Sequence, residues 1–71
     1  MIRDDIETIA RLIDKNATVV ELETDSPFRV FIVKTEYPGL LIGKSGRVIN
    51  AIRTIARVVY NEQKLFIEVT T

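Results

Sequence analysis

The segment Gly39-Leu40-Leu41-Ile42-Gly43-Lys44-Ser45-Gly46 gathers all three glycines of the chain around a lysine and a serine. Taken alone such a loop reads either as a tight turn between helices, where glycine tolerates positive φ, or as a phosphate holder, and two chemistries use the latter. Nucleotide hydrolases carry G-x-x-x-x-G-K-[ST], whose backbone N–H groups cradle a triphosphate while the hydroxyl binds magnesium. The alternative is the sugar-phosphate backbone of a nucleic acid. Spacing separates them. The leading glycine of the hydrolase loop would stand five positions before Gly43, where the chain has Pro38, and Gly39 is one residue too close. With 71 residues the chain is also too short for the βαβ sheet that carries such a loop. No Asp ends a later apolar strand to hold the metal.

The elements on either side must position this loop. Ile2, Ile6, Ile9, Ala10 and Ile13 recur at the spacing of one helical face. Asp4, Asp5 and Glu7 at the start and Arg11 and Lys15 near the end complement the helix dipole, with Asn16 suited to a left-handed cap. From Ala17 the period shifts towards two, which predicts a strand with Val20 and Leu22 on one face and Val19, Glu21 and Glu23 on the other. Asp25-Ser26-Pro27 supplies a turn, and the apolar run Phe28 to Val33 reads as a central strand covered on both sides. Pro38 opens a short helix through Ile42, and Gly43 stops it. Ser45 is a suitable N-cap for the next helix. There Val48, Ile49, Ile52, Ile55, Ala56 and Val59 form one stripe, with Arg47, Asn50, Arg53, Thr54, Arg57 and Asn61 opposite. A last strand spans Leu65 to Thr70. The order α-β-β-α-α-β makes the final two strands parallel through a helical crossover. The expected fold is an α+β single domain over residues 1–71, a three-stranded mixed sheet with three helices on one face.

Ten basic and ten acidic residues cancel, but their distribution does not. No acid occurs between Tyr37 and Asn61, where Lys44, Arg47, Arg53 and Arg57 lie, so a neutral chain carries a positive face. Lys44 and Arg47 sit at the positive end of a helix, where cations cost about 0.3–1 kcal/mol each and folding alone favours acids. The first helix places acids there. An anion docked on the loop accounts for the reversal. Cysteine and histidine are absent, which excludes disulfide frameworks, thiol nucleophiles and imidazole chemistry, and Ser45 has no candidate base. No enzyme, metal site or cofactor is expected, and with neither a membrane span nor a signal peptide a reducing cytoplasm is the expected setting.

Ile42-Gly-Lys-Ser-Gly-Arg-Val-Ile49 resembles the I-G-x-x-G-x-x-I signature of KH domains, an RNA-binding module whose loop clamps four backbone nucleotides. The α-β-β-α-α-β order resembles the type II, prokaryotic arrangement, and the short chain resembles the small bacterial single-KH proteins of the KhpA/YlqC type. The resemblance implies that Gly43, Lys44, Ser45 and Gly46 clamp phosphates, that Ile42 and Ile49 line an apolar groove under the bases, and that Arg47 approaches a phosphate. Arg53 and Arg57 lie outside the signature and join on the helix count alone. It further implies a regulatory RNA chaperone that pairs with a KH-R3H protein of the Jag type. Two alternatives stay open: a degenerate KH module that binds protein, against which the intact glycines and basic residues argue, and a binder of single-stranded DNA. With no aromatic in the loop, base stacking is not expected to drive binding.

A homodimer, or a pair with another KH protein, is expected through the sheet face turned from the helices, with two alternatives: an interface at a helix edge, and a face merely half-covered by the long side chains of Arg29 and Lys34. Alternation assigns Val20, Leu22, Val30, Ile32, Leu65, Ile67 and Val69 to the helices, leaving Val19, Phe31, Val33 and Phe66 as an open apolar patch.

Overall fold

A computed structural model describes residues 2–71. The chain forms α1 (Ile2–Arg11), β1 (Thr18–Leu22), β2 (Arg29–Lys34), α2 (Pro38–Ile42), a 3-10 turn (Lys44–Gly46), α3 (Arg47–Tyr60) and β3 (Leu65–Thr70). The strands lie in the order β1-β2-β3, with β1 antiparallel and β3 parallel to β2. The helices pack on one face. Ile6 and Ala10 from α1, Leu41 from α2 and Ile49, Ile52 and Ala56 from α3 bury against Val19, Phe31, Val33, Leu65 and Ile67 of the sheet. Each large side chain removed from water there contributes about 1.5–3 kcal/mol.

Two strands face the opposite way from the sequence expectation. Val19, Phe31 and Val33 point into the core at 2%, 0% and 1% exposure, whereas Val20 and Leu22 are 41% and 47% exposed. Residues 30 to 33 of β2 are apolar throughout, so alternation carries no phase. The register supplies it by setting Phe31 beside Ile67 and Val33 beside Val19. The helices cover β2 on one face only, and Val30 and Ile32 on the other remain half-buried. Smaller departures have local causes. Helix α1 ends at Arg11, so Ile13 loses the phase of its stripe and is 39% exposed. Asn16 is not left-handed; its N–H donates to Asp14 Oδ1 at 3.0 Å. Ile55 and Val59 lie at the margin of the α3 stripe, 48% and 66% exposed. Asn61 takes the left-handed cap of α3 instead (φ 50°).

Side chains from the helices occupy both edges of the sheet. Along β1, Val19 N–H donates to Glu7 Oε2 at 3.0 Å, Arg3 Nη1 donates to Val19 O at 2.9 Å, and Arg11 Nε donates to Ala17 O at 2.9 Å. Glu7 also pairs with both arginines, at 2.8 and 3.2 Å. Along β3, Arg57 Nε and Nη2 donate to Leu65 O at 3.1 and 2.9 Å, and Arg53 Nε and Nη2 donate to Ile67 O at 3.1 and 2.7 Å.

A buried carboxylate joins two turns at one end of the sheet. Asp14 Oδ2 accepts from Thr35 Oγ1 at 2.5 Å, and Thr35 Oγ1 in turn accepts the N–H of Tyr37 at 3.0 Å, where α2 begins. The Thr35 hydroxyl, and then the Asn16 amide, hold the Asp14 carboxyl below its ordinary range against the opposing effect of burial. Glu7 is held low first by the Val19 N–H, again against burial, with Arg3 and Arg11 adding. Both folded values lie below the unfolded ones. The stabilisation is therefore complete above the ordinary carboxyl pKa of about 4 and disappears as pH falls through the folded values. The urea midpoint should hold from neutrality down to about pH 5 and fall below about pH 4. Glu7→Gln should make that fall shallower, and a midpoint that rises on acidification would contradict the assignment.

Candidate nucleic-acid interface

The loop is built on left-handed backbone. Gly43 lies at φ 76°, ψ 173°, Ser45 at φ 57°, ψ 26° and Gly46 at φ 75°, ψ 16°. At Gly43 only glycine fits: a Cβ would come within 2.5 Å of Val48 Cγ2 and 2.9 Å of the Val48 backbone nitrogen. Ser45, expected as the N-cap of α3, does not cap it. Gly46 takes that position and no side chain caps the helix. Holding Ser45 left-handed costs about 1–3 kcal/mol, a strain that persists only where the surroundings impose it. Here the Gly43 carbonyl accepts the N–H of Gly46 at 3.1 Å, and the Lys44 carbonyl accepts that of Arg47.

Lys44, Ser45 and Arg47 are exposed on this turn. Among the described residues the ion pairs belong to Arg3, Arg11 and Arg29, which leaves Lys44 and Arg47 without a carboxylate partner. The first turn of α3 contains no acid.

Beside the loop lies an open cleft of about 300 Å³, lined by Ile42, Gly46, Ile49, Asn50, Arg53, Glu68 and Val69. Its wall on the sheet side is the free edge of β3. The Lys64 and Thr70 carbonyls accept from Arg29 and Thr35 N–H at 2.8 and 3.0 Å, so alternate residues from 64 to 70 turn their amide groups towards β2. Leu65, Ile67 and Val69 turn theirs outward. Helix α3 sets Arg57, Arg53 and Ile49 along one line at four-residue intervals, and that line runs beside this edge. The two arginines take the Leu65 and Ile67 carbonyls. At the third position stands apolar Ile49, 5% exposed, and among the described residues no side chain reaches the N–H and C=O of Val69. The cleft thus pairs an apolar floor with a free peptide group on its wall.

Of the residues expected in the site, Ile42, Gly46, Ile49 and Arg53 line the cleft, and Gly43, Lys44, Ser45 and Arg47 form or adjoin the turn at its end. Arg57 does not line the cleft; it holds the edge strand. Arg53 also donates through Nη1 to Asn50 Oδ1 at 3.0 Å. Sequence reasoning missed Asn50 as a site residue, together with Glu68 and Val69, which arrive from a strand about 20 residues downstream of the loop. The one sequence signal for the arginines' second task was their four-residue spacing opposite a short terminal strand.

A family model described as KhpA/KhpB, KH domain matches residues 3–70. Comparisons with curated proteins and with solved structures return no match. The matched span runs from α1 to the last residue of β3 and takes in the glycine loop and both walls of the cleft, so the chain belongs to the KhpA/KhpB KH-domain family, a non-enzymatic family of RNA-binding domains.

Proposed function

We propose that this protein binds about four nucleotides of single-stranded RNA, with Gly43 to Gly46 against the phosphates, Arg47 beside them, and bases laid on Ile42 and Ile49. The peptide group of Val69 gives a base edge one acceptor and one donor. The observation that carries this reading is the loop itself. It holds two cations without carboxylate partners, at a helix end with no acid, directly beside an apolar cleft. Arg53 frames the cleft while holding β3. Loose sequence preference suits a small RNA chaperone, the role proposed here.

Titrating labelled single-stranded RNA at increasing salt tests the reading. Two to four phosphate contacts at about −0.7 each give a log–log slope between roughly −1.4 and −2.8. No binding at low salt, or binding indifferent to salt, would remove it. The same titration with single-stranded DNA decides whether a 2′-hydroxyl contributes.

Pairing with a second copy, or with another KH protein such as a KH-R3H chain, is proposed through the helical layer instead of the sheet. Val59, 66% exposed, lines an apolar groove between α1 and α3, and Val58, next to it in the helix, is 73% exposed. That exceeds the exposure of Val20, Leu22 or Phe66 on the sheet. Val58→Glu should leave the fold intact and shift sedimentation from dimer to monomer. A dimer indifferent to the change places the interface elsewhere.

A further inference from the structure

Two aromatic side chains far apart in sequence meet on the open face of the sheet. Phe28 and Phe66 are 44% and 40% exposed, and their rings stand edge to face with centroids 5.1 Å apart. The Arg57 guanidinium lies 5.9 Å from the Phe66 ring centroid while it holds the Leu65 carbonyl, so one arginine wraps the β3 edge from the helix side to the aromatic pair. The pair belongs to the same edge as the cleft. Phe66 precedes Val69 by three residues, about 10 Å at the rise of a strand. Arg53, on the cleft wall, and Arg57 fill that interval.

We infer that a nucleic-acid strand seated in the cleft continues along the β3 edge past Arg53 and Arg57 and stacks an unpaired base on Phe66, which Phe28 holds edge-on. The inference rests on the proposed RNA-binding reading and extends it by a second subsite. Continuity with the cleft favours a base of the same strand as the occupant. So does an arginine over the ring, because stacking on an aromatic with a guanidinium alongside accepts any base. Glu68 lines the cleft where the path begins, which suits an uncharged base better than additional phosphates. A second copy of the chain fits less well. A stable dimer takes about 800 Å² from each partner, and two phenylalanines less than half exposed offer about a fifth of that. Val20 and Leu22 on the same face do not make up the difference.

The test compares RNAs of four and about eight nucleotides on the wild type, Phe66→Leu, Phe66→Tyr and Phe28→Leu. Phe66→Leu should bind the short RNA as the wild type does and the long RNA about 5- to 150-fold more weakly, the range of one base–aromatic stack. Phe66→Tyr, which keeps a ring, should retain the long-RNA affinity, and Phe28→Leu should lose part of it. Normal short-RNA binding by each variant also reports that it is folded. If Phe66→Leu gains as much from the longer RNA as the wild type, the subsite is overturned and the cleft reading stands. If the wild type binds neither RNA, the cleft reading falls and the subsite with it. A variant that loses self-association in sedimentation while keeping the length gain makes this face a contact between copies, which also overturns the subsite.

Discussion

Replacing Lys44 and Ser45 together by Asp is expected to reduce RNA affinity by about 100-fold or more, since like charges set together at an interface cost several kcal/mol. The change puts two carboxylates where the phosphates are proposed to lie. Both side chains are exposed on the turn, and neither contributes to the core. Acids at the start of α3 also complement the helix dipole, so stability should hold or rise slightly. That opposition separates function from fold: the thermal midpoint stays or increases while binding disappears. A folded double variant with undiminished affinity in fluorescence anisotropy would move the site away from this loop.

Phe31→Glu is expected to unfold the protein. Phe31 is fully buried at the centre of the sheet, between Val19, Val33 and Ile67. A chain of this length has a stability of about 4–11 kcal/mol at 0.05–0.15 kcal/mol per residue. Truncating a core phenylalanine removes about 3–5 kcal/mol, before the desolvation of a carboxylate is added. Phe66→Glu, on the exposed face, should remain folded. Far-ultraviolet circular dichroism of the two variants tests the strand phase directly: a folded Phe31→Glu would restore the opposite alternation.

The order of elements was legible because each segment had a period of its own. Pro38 and Gly43 bounded α2 correctly, and Gly43 and Gly46 marked positions where the backbone must turn left-handed. Strand phase was not legible, because Val19 and Val20, like Phe31 and Ile32, offer an apolar side chain to either face. Only the pairing of β2 with β3 breaks that symmetry, and it is a property of the assembled sheet. In the candidate site, the loop and the two isoleucines could be read in advance. Val69 could not, since its contribution is a peptide group, and what leaves that group free is an isoleucine where an arginine would have closed the edge. The edge-holding contacts of Arg3, Glu7, Arg11, Arg53 and Arg57 were hidden for the same reason: their partners are backbone atoms of strands that no sequence pattern places beside them, so Glu7 and Arg11 read as complements of the helix dipole and Arg53 and Arg57 as nucleic-acid contacts. The aromatic pair was hidden by the 38-residue separation of its members.

The arginines and the glutamate along the two outer strands bear on how this chain behaves in a crowd. A three-stranded sheet ends in two rows of open amides, each a template on which another extended chain can grow into a fibre. Here a recruit must first displace Glu7 and two arginines on one side, or two bidentate guanidiniums on the other, and all of these are tethered to helices already docked on the core. Two gates of opposite durability result. Acid weakens the first by protonating Glu7, whereas the second contains only arginine and keeps Leu65 and Ile67 covered, with Val69 its one open position. Misassembly at low pH should therefore start from β1, and amide exchange should open at Val19 while β3 is still protected.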